Sequence, residues 1–401
     1  MIRRLLERLG LLAGSLLLCT LAIFTLFEWF PSIPAKLHLQ NIHYYALKER
    51  YLPDDRLVFT RKPFYRYEGY FVGDHYGLFS DKNAPRIPYR ARFDENGFRN
   101  APHAPAPDVI LLGDSFLEFG LNETDTLAGR LAAKTGLSTA NYGMEWYGPA
   151  QYVTAFKRFA ADRGAKTAVL CFFEGNDLRD LGQYLNWKRG GDYYHFNLTR
   201  KNFFQRYLIT LKDFLAFVAK LFLRGLDPRK VQVKLGAAEF TTVFSYPTDT
   251  RPAAVIRQSP EALELSKNLQ EFSGLCRSRG IRPIVLFIPT KSHIYAAYTT
   301  DQSHPEWLKQ KPLWLEAENR VEEIVHTLTT EAGAEWLSLS GSFAEAAARR
   351  KNLYYPTDTH WNSAGRQIAA DVLSKTSVKQ VMSVAKSQGS IPEKQSAPLA
   401  E

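Results

Sequence analysis

Five short apolar runs, each set among helical patterns, constrain this 401-residue chain more than any other feature. Val109–Leu112 is unbroken apolar sequence, Thr139–Tyr142 is a second run, and "KTAVLCFF" (Lys166–Phe173) is the most strand-like stretch of all. "RPIVLFIP" (Arg282–Pro289) and "AEWLSLS" (Ala334–Ser340) continue the series. Helical patterns lie around Thr126–Thr135, over Gly148–Ala161, Glu261–Arg279 and Trp314–Ala332, and after Asn362. Strands that are apolar on both faces are hidden only in a sheet covered on both sides, and interleaved helices make that sheet parallel. The pattern predicts an α/β domain of three layers, α/β/α, over residues 108–374. At 45% hydrophobic and 23% charged, the chain has the material for a substantial core.

The flanks read differently. Arg3, Arg4 and Arg8 precede an uncharged run from Leu9 to Phe27, close to the ~20 residues a helix needs to cross a bilayer. Residues 1–35 therefore read as a membrane anchor or signal segment, with a single-pass anchor expected. The arginines place its start in the cytoplasm and the rest outside the bacterial inner membrane, facing the periplasm or the exterior. Residues 36–107 are rich in Tyr, Phe, Arg, Pro and Gly and read as a β-rich lead-in, closed by "PHAPAPD". An insertion at about 181–260 contains "RYLITLKDFLAFVAKLFLRGL", whose charges leave a wide apolar helix face. That helix either packs on the domain or lies against the membrane beside the anchor. The tail, 375–401, is rich in Lys, Ser, Gln and Pro and is expected to be disordered.

The formal net charge is +10, which suits an acidic polysaccharide or an anionic membrane surface. No zinc-finger spacing, helix-turn-helix signal or RNP-like pattern occurs, so no nucleic-acid partner is expected. Cys19, Cys171 and Cys276 form no disulfide framework.

The chemistry gathers at strand ends. In "DVILLGDSFLEFG", Ser115 stands just past the first apolar run, at the carboxyl end of a parallel strand, where open α/β sheets place their ligands. A serine nucleophile needs a base held by a third group. "YYPTDTHWNSAG" supplies both: Asp358 and His360 are two apart before the last helix, so in an extended loop they face the same way. Acyl transfer also needs donors aimed at an oxyanion. "FFEGNDLRD" delivers the Asn176 amide to that edge, the Ser115 backbone N–H is a second donor, and "NYGMEWYGPAQY" offers a third from its backbone.

At these residues the chain resembles the GDSL/SGNH hydrolase superfamily, in particular membrane-anchored bacterial members similar to polysaccharide O-acetyl esterases and O-acetyltransferases. "GDSF", "NYG…GPAQ", "EGND" and "DTHWNSAG" match its four blocks in order, over roughly Asp94 to Leu373. The resemblance implies a flavodoxin-like parallel sheet, a Ser115–His360–Asp358 triad, and an oxyanion hole from Ser115, Asn176 and Gly148. The chain departs from the pattern at Glu174, which stands where the third block usually has Gly. It departs again at Trp146, which stands where an oxyanion-hole Gly is usual, and in its short Asp-x-His spacing.

Serine-dependent acyl-ester chemistry is thus expected, by hydrolysis or transfer, on O-acetyl groups of an extracytoplasmic polysaccharide. No metal and no organic cofactor is expected. Trp146, Tyr147, Asp114 and Trp361 are the expected substrate contacts. Trp187, Tyr193 and Tyr194 are further candidates, since 13% of the chain is aromatic and rings stack on sugars. Two other readings stay open: a lipase or lysophospholipase with a membrane-facing lid around Phe214, and a non-catalytic glycan-binding partner of a membrane O-acyltransferase.

Overall fold

The computed structural model describes residues 2–30, 33, 48–71, 73, 87–102, 106–194, 202–222 and 230–388. Residues 36–47 and 74–86 of the expected lead-in, 195–201 and 223–229 of the insertion, and 389–401 of the tail lie outside this description, as does the Phe214 side chain.

Lead-in strands β1 (Tyr51–Asp54) and β2 (Val58–Arg61) pair antiparallel, as do β3 (Arg66–Phe71) and β4 (Ile87–Arg92). Next come β5 (Val109–Gly113), β6 (Thr139–Gly143) and β7 (Thr167–Phe173). The insertion adds a hairpin, β8 (Lys230–Leu235) and β9 (Ala238–Val243), before β10 (Arg282–Ile288) and β11 (Glu335–Ser338). A five-stranded sheet runs in the order β6-β5-β7-β10-β11 with every neighbour parallel. Counted among themselves, these strands lie in the order 2-1-3-4-5 of flavodoxin-like sheets, whose ligands bind where the first and third strands diverge. That point lies between β5 and β7.

Each sheet strand divides its side chains between two cores. Ile110, Leu112, Ala168, Leu170, Phe172, Val285 and Phe287 face one layer, with Tyr152, Leu181, Leu265, Phe272 and Ile324 from its helices. Val109, Leu111, Val169, Cys171, Phe173, Ile284 and Leu286 face the other, with Phe116, Leu131, Phe343, Ala369 and Leu373. This period-two division is what makes the central runs apolar on both faces. In the insertion, Val231, Val233 and Leu235 join the second core while Gln232 and Lys234 turn outward, so the hairpin belongs to the domain.

Three helical expectations shift. Trp314–Ala332 is two helices, Pro305–Ala317 and Arg320–Glu331, broken at Asn319, a residue type that competes with the helix backbone. Gly148 caps rather than joins its helix, Pro149–Ala155, which then loosens into a π turn over Phe156–Ala160. The final helix runs Ser363–Gln388, into the segment expected to be disordered; no proline or glycine interrupts it between Gly365 and Gly389.

The N-terminal helix, Ile2–Trp29, contains a 23-residue stretch, Glu7–Trp29, long and apolar enough to cross a membrane or serve as a signal sequence. Helix Phe203–Phe222 of the insertion packs against its end. Phe24 meets Phe203 and Tyr207 edge-on at 5.1 and 5.5 Å, and Thr20 Oγ1 lies 2.6 Å from the Tyr207 hydroxyl. The amphipathic helix therefore sits beside the apolar helix.

Candidate active site

β5 ends at Gly113 and the chain turns at once into a short helix, Ser115–Glu118. Asp114 caps it, its Oδ1 accepting the Phe116 N–H at 2.8 Å. The turn is compact because β6 ends in glycine beneath it: a Cβ at Gly143 would lie 2.4 Å from Leu117 Cβ. The half-buried Ser115 thus stands at the divergence of β5 and β7, at a helix start whose first N–H groups have no partner within the helix.

His360 Nε2 lies 2.8 Å from Ser115 Oγ. Asp358 Oδ1 lies 2.5 Å from His360 Nδ1 and also accepts the His360 backbone N–H at 2.8 Å. The loop is braced on three sides. Trp361 Nε1 donates to the Phe116 carbonyl at 3.1 Å, Phe119 stacks on the His360 ring at 5.2 Å, and Asn362 Oδ1 accepts Ala364 N–H to start the last helix. The fully buried Arg366 donates to the Trp361 carbonyl and to Asp125, tying this loop to the segment after the serine. Asp125 is desolvated, yet Arg366 and its hydrogen bonds hold its carboxyl below the usual range.

At the end of β7, Asn176 Nδ2 donates to Asp180 Oδ2 at 2.8 Å, and the Asn176 side chain also hydrogen-bonds Asp114. Asp177 accepts from Tyr152 and from Phe173 N–H, and Tyr194 donates to Asp180. Burial pushes Asp114 up to about 6 and Asp180 up to about 7. Asp177 goes well above the carboxylate range, through burial first and the neighbouring Asp114 second.

Residues 250–397 match the family model described as "SGNH hydrolase-like domain, acetyltransferase AlgX". Over these residues the chain is similar to an SGNH hydrolase-like domain. The match includes Asp358 and His360 but stops short of Ser115, which the fold brings to them. Solved structures give distant likenesses. An acetyl xylan esterase, AlAXEase, is 12% identical over 67% of this chain and 98% of its own, at a TM-score of 0.36. An extracellular lipase from Streptomyces rimosus is 14% identical over 67% and 99%, at 0.39. An acetyl-xylooligosaccharide esterase from Geobacillus is 11% identical over 68% and 95%, at 0.35. No curated protein sequence matches significantly.

The fold treats the other expected site residues unevenly. Gly148 does not offer its N–H to the site; that group donates to Gln151 Oε1 at 3.0 Å, closing the cap of its own helix. Trp146 instead adopts φ +64°, the left-handed conformation glycine favours, at the position where the pattern has glycine. Tyr147 and Trp361 are fully buried, and Tyr147 donates to the Phe59 carbonyl at 2.6 Å, so neither ring faces a substrate. Tyr193 and Trp187 are buried as well, and Asp114, 1% exposed, is a helix cap. Aromatic residues in glycine-rich loops look exposed in a sequence; here they fill the first core.

Glu174 has a structural reason. Its Oε2 lies 3.0 Å from His293 Nδ1 and accepts the Thr290 N–H at 2.8 Å, joining the ends of β7 and β10. Burial pulls the His293 pKa down, but Glu174, with Glu322 and Glu318 nearby, outweighs it and holds that pKa above the usual value.

The sequence reading missed the wall beside the triad. A cavity of about 230 Å³ borders Asp358 and Phe119 and is otherwise built largely by the lead-in. Its floor is a buried charge network: Arg61 Nη2 lies 2.5 Å from Glu118 Oε1, 3.1 Å from Glu145 Oε1 and 2.7 Å from the Tyr51 hydroxyl. Among the described residues, no group of three or more His, Cys, Asp or Glu side chains is arranged to hold a metal ion.

Proposed function

We propose that the chain is a serine-dependent acyl-ester hydrolase or acyltransferase acting on O-acetyl groups of an extracytoplasmic polysaccharide. The relay from Asp358 through His360 to Ser115, at 2.5 and 2.8 Å, carries this reading. His360, held by Asp358 in the tautomer that leaves Nε2 free to accept, takes the Ser115 proton as Oγ attacks the ester carbonyl. The Ser115 N–H, the Asn176 side-chain amide and the Trp146 backbone N–H receive the oxyanion. His360 returns the proton to the departing alcohol, and water or a sugar hydroxyl then resolves the acyl-serine. The matched family's description as an acetyltransferase supports acetyl as the group handled. The arginines ahead of the apolar helix favour an anchored enzyme whose site works outside the cytoplasm, and a membrane O-acyltransferase fits as the source of acetyl groups.

Mass spectrometry after treatment with an activated acetyl ester or a fluorophosphonate tests this. An adduct on Ser115 is expected, absent in Ser115→Ala and formed at least ~100-fold more slowly in His360→Ala. A folded chain with no adduct overturns the reading in favour of a glycan-binding module. Added sugar acceptors then separate transfer from hydrolysis.

A further inference from the structure

None of the aromatic side chains named from the sequence lines the cavity beside the triad. β3 and β4 carry Tyr67 and Tyr89 into it, Arg61 comes from the end of β2, and Arg50 precedes β1. The rings form a continuous series toward the base. Tyr67 meets Tyr89 at 5.5 Å, Tyr89 stacks on Phe119 at 5.7 Å and 15°, and Phe119 stacks on His360 at 5.2 Å and 26°. Against the rings stands a polar floor. Arg61 is 3% exposed, and its Nε is buried without a hydrogen-bond partner among the described residues. Gly73 closes the far side at φ +74°, where a Cβ would lie 2.6 Å from the Thr357 carbonyl, so the lead-in touches the loop that carries Asp358.

We infer that this cavity is a glycosyl subsite, holding an uncharged, O-acylated sugar ring so that its ester reaches Ser115. The inference rests on the acyl-ester reading above and names the substrate group that the same site takes. An acyl chain would gain from the rings but would strand the buried polar floor without partners, which is costly. A sugar ring matches both halves: its C–H face lies on aromatic rings and its hydroxyls answer planar polar side chains, including the unpartnered Arg61 Nε. The ring is uncharged because the cations are already answered. Arg61 is paired with Glu118 and Glu145, Arg50 is drawn to Glu145, and Asp358 is held by His360. The cavity also lies wholly outside residues 250–397 except for Asp358, so the lead-in, not the matched region, would set the choice of sugar.

The test uses the full-length chain in detergent with three esters: an O-acetylated cello-oligosaccharide, an O-acetylated oligogalacturonate, and 4-nitrophenyl acetate. In Tyr67→Leu and Tyr89→Leu, kcat/KM for the neutral oligosaccharide, relative to that for 4-nitrophenyl acetate, is expected to fall about tenfold, chiefly through KM. Tyr67→Phe, which keeps the ring, is expected to stay within about twofold. Calorimetry of Ser115→Ala with the deacetylated cello-oligosaccharide provides a readout independent of turnover, and Tyr67→Leu in that background is expected to weaken binding by a similar factor. Equal loss on both esters, or no loss, overturns the subsite while leaving Ser115 labelling to uphold the enzyme. Preference for the oligogalacturonate overturns the uncharged ring. Absence of any Ser115 adduct alongside intact, Tyr67-dependent binding overturns the acyl-ester reading and leaves the subsite standing.

Discussion

Two groups of buried charge meet at the serine turn, one after Ser115 and one before it. After it, Glu118 and Glu145 share Arg61, whose guanidinium also lies 4.2 Å over the Phe93 ring and 4.6 Å over Tyr51. Before it, Asp114 stands with Asp177 and Asp180, and the nearest cation is Arg179, 3.6 Å from Asp180 and about half exposed. In the first group the acids come from distant parts of the chain and are balanced by Arg61 with Arg50 beside Glu145, so the group works as a clasp between the lead-in and the α/β domain. In the second, the acids come from the strand ends of the domain itself, and the fold holds them by protonation and by tyrosine hydroxyls. A clasp fails when one member is removed; a protonated cluster fails when pH rises.

Arg61→Met breaks the first group and gives the largest expected effect. It leaves the buried Glu118 without its cation and Glu145 with Arg50 alone, a change that typically costs about 3–5 kcal/mol. Urea unfolding is expected to show that loss, and Arg61→Met combined with Glu118→Gln and Glu145→Gln is expected to recover most of it. If the single variant loses under about 1 kcal/mol, the lead-in is not clasped to the domain through this group.

The second group is broken by pH. Asp180 is raised from 3.8 to about 7 and Asp114 from 3.8 to about 6, so across the interval the folded chain keeps protons that the unfolded chain releases. Stability therefore falls as pH rises from about 4 toward 7, and the cost is fully present above pH 7. His293 adds the same sign later. Its raised folded pKa contributes stability present below about 6.5 and lost as pH passes the folded value. Asp180→Asn is expected to remove on the order of 3 kcal/mol of the difference between pH 4.5 and pH 8 in denaturant midpoints. An unchanged slope would locate the pH dependence elsewhere and dissolve the contrast between the two groups.

The contrast also marks what a sequence can tell. Ser115 and Asn176 were legible because each stands where an apolar run stops, and parallel strands bring such ends to one edge. Asp358 and His360 stood out as a pair two apart in the loop before the last helix. Most of the five strands were legible because burial on both faces leaves few polar residues in them, as in Val109–Gly113 and Thr167–Phe173. Arg61 and Glu118 were not, since a pairing across 57 positions leaves no local periodicity. Glu174 and His293, 119 apart, were hidden in the same way, and Glu174 looked like a defect in the third block until its partner was found. The two parts of the chain differ in the same respect: the domain repeats a pattern that alternation reveals, while the lead-in's short strands acquire their role only by touching it.

Trp146 joins the two groups and gives the smallest, most discriminating prediction. It follows Glu145 of the clasp, its ring lies 6.3 Å from Tyr51, and its carbonyl accepts from Tyr193, whose ring meets Tyr194 at 5.1 Å. Tyr194 in turn donates to Asp180 of the acid cluster. A non-glycine residue at φ +64° costs roughly 1–2 kcal/mol of backbone strain, which here is offset by packing of the indole against the first core. Trp146→Ala keeps the strain and loses the packing, whereas Trp146→Gly loses the packing but relieves the strain. Glycine at 146 is therefore expected to melt higher than alanine by an amount equivalent to about 1 kcal/mol, despite glycine's greater freedom in the unfolded chain. Should alanine prove as stable as glycine, the turn does not hold its left-handed conformation, and the Trp146 N–H loses its proposed place among the oxyanion donors.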